Sequence, residues 1–241
     1  MTEVKGRTVL ISGVSSGIGA ALAVEFCRRN DFVVGLSRNR LKLTALSRTL
    51  RRDGGRCLMV PCDVRNPPQI ESAIRRGRNE AGEFDVVVNN AGVTVFKEFV
   101  HTSLLEFEAI VDTVLRGTFL ITKKVLPAMI QRKRGSIINV ISFAAKTTYT
   151  GSAAYSAAKV GVEAMMRVLR EEVRGKNIRI INVFPGAVLT PMWSRKHRQS
   201  LGGLMIPAEH FAKVVCDAAG QPSSLNIEEI VIRPTVGDLK V

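Results

Sequence analysis

Tyr155 and Lys159 stand four positions apart in the stretch SAAYSAAK, residues 152–159. Side chains at i and i+4 share one face of a helix. Every other residue of the stretch is Ala or Ser, which leaves room for a ligand or a neighbouring backbone. A free phenol titrates near 10, a poor match for reversible proton transfer at neutral pH. A nearby ammonium favours the phenolate and lowers that value. A shift of ~3 units needs about 4 kcal/mol of differential interaction. Such a pair suits delivery of a proton to a carbonyl oxygen while a cofactor delivers hydride to carbon. Taken alone, the same residues also describe a core tyrosine beside a snorkelling lysine.

A second constellation fits the cofactor that this chemistry needs. VLISGVSSGIGAAL places Gly13, Gly17 and Gly19 between an apolar run and an amphipathic one, with Ser15, Ser16 and Ile18 among them. Glycines there permit a tight turn and close approach of backbone to a pyrophosphate, and a helix N-terminus offers free N–H groups to it. The G-x3-G-x-G spacing is a weak signal alone, and its place after the first strand strengthens it. A site selective for NAD usually has an acidic residue about 20 positions on, for the ribose 2′-hydroxyl. Here the second strand ends in Ser37 and Arg38, with no carboxylate. An arginine pairs with a 2′-phosphate through charge-assisted hydrogen bonds, so NADP(H) is favoured over NAD(H).

The elements that must hold these groups alternate. Strand-like runs occupy 7–12, 32–37, 56–61, the VVVN of FDVVVNNAG, 136–142, 178–185 and 228–234. Helical patterns lie between them: the segment after Gly17, 40–52, 67–82, one long pattern over 104–132, 153–174 and 207–220. Nearly continuous apolar strands alternating with helices predict a parallel sheet covered on both faces. The expected fold is a single-domain α/β Rossmann-type doubly wound sheet of about seven strands. Ligands then sit outside the carboxyl ends of the strands. The stretch 187–207 is the one long interruption, and a substrate lid is expected there.

Composition narrows the class. With 46% apolar and 23% charged residues, the 241-residue chain reads as globular rather than disordered. Cys27, Cys57, Cys62 and Cys216 show no metal-ligand spacing and fall in or beside apolar runs, so buried free thiols and a cytoplasmic location are expected. No signal peptide or spanning segment is visible, so no membrane association is expected. The formal net charge of +14 gathers in clusters such as IRRGR, QRKR and SRKHRQ. Aromatics do not interleave with them, which makes nucleic acid an unfavoured partner. Charge runs of this kind are usually solvated helix faces.

Five motifs in order and register now carry a resemblance: SGVSSGIG, CDV (62–64), NNAG (89–92), YSAAK (155–159) and FPGAVLTPM (184–192). Over essentially its whole length the chain resembles the short-chain dehydrogenase/reductase family. The resemblance implies that Tyr155 is the acid/base, that Lys159 supports it, and that Ser142 donates to the substrate carbonyl oxygen. It implies that Asp63 and Val64 hold the adenine, that Asn90 lies beside the adenosine ribose, and that Gly92 lets the cofactor approach. Val188 and Thr190 would meet the carboxamide end of the nicotinamide, with Pro185 and Gly186 shaping that wall.

One departure stands out. The family usually places an asparagine in DTVLRGTFLIT where this chain has Val114, with Gly117 fixing the register. That asparagine is thought to hold a water linking the lysine to solvent, which valine cannot do. In the lid, Met192, Trp193, Leu204 and Met205 beside Arg195, Lys196, His197 and Arg198 are compatible with a flat or apolar carbonyl compound bearing an anionic handle. PGAVLTPMW and the ending EEIVIRPTVGDL resemble the sepiapterin-reductase-like branch, which reduces carbonyls on pterin side chains with NADPH. Reduction of 3-ketoacyl thioesters, or an NADP(H)-binding regulatory or nucleic-acid-associated protein with little turnover, are the alternatives. The apolar surplus of 104–132 and 153–174 implies a homodimer or homotetramer.

Overall fold

The alternating runs fold into seven parallel strands and their crossover helices. The computed structural model describes residues 6–239; the opening MTEVK, part of the N-terminal stretch read above for a signal peptide, lies outside them. Strand β1 (Thr8–Ser12) leads into α1 (Gly17–Arg28), β2 (Phe32–Ser37), α2 (Arg40–Arg52), β3 (Arg56–Pro61), α3 (Pro67–Ala81) and β4 (Val86–Asn89). Helices α4 (Leu104–Val111) and α5 (Gly117–Arg132) precede β5 (Gly135–Val140), which leads to α6 (Ala153–Val173) and β6 (Ile178–Pro185). Then come β7 (Val188–Leu189), α7 (Arg195–Leu201), β8 (Ile206–Pro207), α8 (Ala208–Ala219) and β9 (Glu229–Ile232).

The main sheet runs β3-β2-β1-β4-β5-β6-β9, and every pairing in it is parallel. Chain direction across the sheet therefore reverses between β1 and β4, where a doubly wound sheet opens its ligand crevice. The strands are apolar on both faces because each face carries its own core. Leu10, Val87, Ile137 and Ile180 pack under α3 to α6. Val9, Val86, Ile138 and Ile181 pack under α1 and α8.

Polar side chains interrupt this core in one ordered row. Asn89, Asn139 and Asn182 are aligned across β4, β5 and β6 and are at most 5% exposed. Asn89 Nδ2 donates to Asn139 Oδ1 at 2.9 Å, and Asn139 Nδ2 to Asn182 Oδ1 at 3.0 Å. These linked amides favour one strand register, while the outer atoms of the row, Asn89 Oδ1 and Asn182 Nδ2, have no partner among the described residues. The row meets β4 at its last residue and β5 one residue before its end.

The long helical pattern over 104–132 is interrupted. A π-helical turn at Asp112–Arg116 separates α4 from α5, and the Gly117 N–H reaches back to the Asp112 carbonyl. A wider turn inserts one residue and rotates the chain beyond it. The result is that Thr113 and Val114 are both buried. The start is fixed independently: Ser103 and Glu106 form a reciprocal capping box. Strand five also ends earlier than its apolar run suggests, at Val140 rather than at Ser142. Ser142 instead caps a short 3-10 turn, Phe143–Ala145.

Candidate active site

The turn after β1 is built for a close-approaching ligand. Gly13 and Gly17 have φ of 74° and 56°, the left-handed region where a side chain is strained. A Cβ on Gly17 would also stand 3.1 Å from the Thr190 side chain, so the turn and the lid base touch here. Ser16 precedes α1 without capping it, and no acidic residue occupies the first turn. The first N–H groups of a 12-residue helix, with their positive dipole end, thus lack a side-chain partner. Asn90 braces the turn from β4: its Nδ2 donates to the Ser12 carbonyl at 2.9 Å and to the Gly13 carbonyl at 3.2 Å.

This turn forms one end of a cleft of about 570 Å³. Gly13, Ser15, Ser16, Gly17, Ile18, Gly19, Ser37, Arg38, Asp63, Val64, Asn90 and Gly92 line it, as do Ser142, Tyr155, Lys159, Val188, Thr190, Met192 and Trp193. Every site residue read from the sequence therefore borders one cavity. The rest of the lid does not. Of the four basic residues Arg195, Lys196, His197 and Arg198 only His197 lines it, and Leu204 and Met205 do not. That removes the cationic support for an anionic substrate handle. The segment 187–207 is tied down at its base, where β7 pairs with β8 and Trp193 Nε1 donates to the Val188 carbonyl at 3.1 Å.

At the end beside β2 and β3, Arg38 is exposed at the rim. The Asp63 carboxylate is not free: Arg65 Nη2 donates to it at 2.7 Å. Arg65 first, and the charge of Arg38 at longer range, hold its carboxyl below the usual range. Asp63 stays an acceptor, with its orientation fixed by a neighbour two residues away.

At the other end Tyr155 and Lys159 share the inward face of α6, 8% and 5% exposed. Lys159 Nζ donates to the Val140 carbonyl at 2.7 Å and lies 5.6 Å from the Tyr155 ring centre. Ser142 accepts from the Ala144 N–H at 3.1 Å, which leaves its hydroxyl hydrogen for another acceptor. The Phe96 ring packs against Tyr155 with centres 6.4 Å apart.

The electrostatics differ from the sequence expectation. Burial raises the Tyr155 pKa, and only the Ser142 hydroxyl pulls it down. The same burial lowers Lys159 to about 7. An ammonium that has lost much of its charge cannot depress its neighbour as a full cation would. In this state Tyr155 is protonated and has a proton to give, but burial makes it a weaker acid than a free phenol.

Several lining residues left no mark in the sequence. Asp238 and Leu239, from beyond the last strand, border the cavity together with Tyr149 and Thr113. Tyr149 Oη donates to Asp238 at 2.9 Å, and Arg233 grips the same carboxylate at 3.0 Å. Burial and Asp238 push the Tyr149 phenol up to about 12. No local pattern announces that a C-terminal Asp will return to the site.

The residues present fit a nicotinamide dinucleotide: an uncapped helix N-terminus for phosphates, Arg38 and Asp63 at the adenosine end, and a buried lysine and phenol at the reacting end. Among the described residues, no helix is long and apolar enough to cross a membrane.

Comparison with known proteins agrees with this geometry. The model of the short chain dehydrogenase family matches residues 7–201. Sepiapterin reductase of Chlorobaculum tepidum is 33% identical over 96% of this chain and 98% of its own length. Ketoacyl reductase HetN of a Nostoc species is 33% identical over 78% of this chain, and the match spans 66% of that relative's length. Among solved structures, a metagenomic short-chain oxidoreductase in complex with NADP superposes with TM-score 0.84 at 31% identity, covering 96% of this chain and 98% of its own. A variant of actinorhodin polyketide ketoreductase with NADPH gives 0.90 at 26% identity, covering 99% and 100%. The fold, the cleft and these likenesses coincide: the chain is an oxidoreductase of the short-chain dehydrogenase/reductase family and uses a nicotinamide cofactor.

Proposed function

We propose that the protein is an NADP(H)-dependent carbonyl reductase in which Tyr155 donates the proton. The observation that carries this reading is the buried Tyr155–Lys159 pair in the same cleft as the uncapped α1 N-terminus. The α1 N–H groups bind phosphate, and Arg38 binds the 2′-phosphate that distinguishes NADP(H) from NAD(H). Asp63 and Val64 hold the adenine end, while Val188 and Thr190 meet the nicotinamide end. The bound cofactor supplies hydride to the carbonyl carbon.

Ser142 donates its hydroxyl hydrogen to the substrate oxygen, fixing it near the phenol and stabilising the charge that develops there. Tyr155 then gives its proton to that oxygen. Lys159, anchored by the Val140 carbonyl, stabilises the resulting phenolate and passes a proton back toward it. Met192, Trp193, Phe96 and Leu239 provide apolar walls for a compact or flat carbonyl compound. Similarity to a sepiapterin reductase along nearly the whole chain supports a pterin-like compound. Similarity to a ketoacyl reductase and a polyketide ketoreductase supports a ketoacyl thioester as the second reading.

Oxidation of NADPH in the presence of diketones, pterins and acyl thioesters tests the proposal. Turnover on one class supports it and selects between the two substrates. Tight NADPH binding with no turnover on any class would favour the regulatory reading instead. The exposed apolar side chains Phe107, Phe119, Val160 and Val168 on α4, α5 and α6 support a homo-oligomer, which sedimentation would reveal.

A further inference from the structure

A second cleft, of about 470 Å³, opens at the amino ends of β1, β4, β5 and β6, the sheet edge opposite the cofactor cleft. Five cations border it: Arg7, Arg132, Lys133, Arg134 and Arg179. Arg179 occupies a row shared with Ser136 and Val86 across three strands. Its guanidinium donates to Ser136 Oγ at 3.0 Å and to the carbonyls of Gln221 at 2.7 Å and Ala219 at 3.1 Å. Arg7 donates to the same Ala219 carbonyl at 2.7 Å. Two guanidiniums thus converge at the end of α8.

Counter-charge is short. Arg7 pairs with Asp31, and Arg132 and Arg134 share Asp85 at 3.4 and 3.2 Å. Among the described residues, neither Lys133 nor Arg179 has a carboxylate within ion-pair distance, and the buried Nε of Arg132 has no partner. Five cations therefore face two carboxylates. Burial and the charge of Arg7 push the Arg179 pKa down, the direction expected for a cation that lacks an anion. The rim is held in shape: Lys133 and Asn177 both take left-handed backbone, and Asn177 Nδ2 donates to the Lys133 carbonyl at 2.9 Å.

We propose that this cleft is a binding site for a phosphate-type dianion. Guanidinium forks match the tetrahedral oxygens of phosphate, and a dianion offsets most of the unpaired charge. The occupant is distinct from cofactor and substrate, because the cleft lies at the other edge of the sheet.

The test is calorimetric titration of the NADPH-saturated protein with inorganic phosphate and with glycerol phosphate, at ionic strength held constant with chloride. The expected result is one saturable site per chain, weakened about tenfold or more when Lys133→Gln and Arg134→Gln are combined. Arg134 is largely exposed, so folding and turnover should persist in that variant, and its melting temperature verifies this. Arg179→Gln, accepted only if its melting curve stays cooperative, should abolish binding. Tighter binding of the ester would identify an organic phosphate, and equal binding the free ion. Absence of saturable binding, loss of it once NADPH is saturating, or indifference to the double variant would overturn the proposal. So would binding shown only by duplex DNA with a steep salt dependence.

Discussion

Lys159 and Val114 flank a single point in the structure. A Cβ on Gly92 would stand 4.0 Å from Lys159 Nζ and 3.9 Å from Val114 Cγ2. The buried amine thus has a hydrogen-bond partner on one side, the Val140 carbonyl, and a Val114 methyl in its surroundings where the family resemblance implies an amide. Burial lowers Lys159 to about 7.

Replacing Val114 by Asn restores a donor and an acceptor beside Gly92. Turnover should stay level or rise up to about tenfold, the scale of one hydrogen bond to a charged group. Val114 is 1% exposed, so the melting temperature should fall by a few degrees if the amide is left partly unpaired. Steady-state NADPH oxidation and a melting curve check both. A clear drop in turnover with folding intact would contradict a missing relay.

Lys159 also makes stability depend on pH. Its folded pKa, about 7, lies below the ordinary 10.5. Between those values the unfolded chain binds more protons than the folded one, so stability from this group rises with pH across that window. Lys159→Met removes the dependence. The difference in melting temperature between variant and wild type should shift in favour of the wild type from pH 7 to pH 10. A constant difference would contradict the depressed pKa.

How much of this was legible in the sequence depends on the range of the interactions. Gly13, Gly17, Tyr155 and Lys159 are local patterns, and their alternating strands and helices place them at one sheet edge. The π-helical turn at Asp112–Arg116 leaves no trace in periodicity, because one inserted residue only shifts the phase of an apolar pattern. Asp238 reaches the cleft through a bond to Tyr149, 89 residues away in sequence. The direction of the Tyr155 shift was misread because spacing reports the charge of Lys159 and not the burial that both residues share.

Arg38→Ala should raise the KM for NADPH about tenfold or more while leaving that for NADH nearly unchanged. Initial rates with each cofactor decide it. An equal rise for both would mean that Arg38 does not read the 2′-phosphate.

Asp238 couples the C-terminal segment to the cleft through Tyr149 and Arg233. The ion pair is half-exposed and adds little stability, so Asp238→Ala should fold normally. It should raise substrate KM several-fold with kcat nearly constant, as expected for loss of uniform binding. Unchanged KM would show that this segment only covers the site.

Proton delivery by Tyr155 is the step on which the proposed chemistry depends. The most direct measurement compares wild type and Tyr155→Phe for NADPH oxidation on the best carbonyl substrate, with NADPH affinity followed by fluorescence. Tyr155→Phe should lose about 10² to 10⁴ in kcat with NADPH affinity unchanged. Turnover by the phenylalanine variant at the wild-type rate would contradict it.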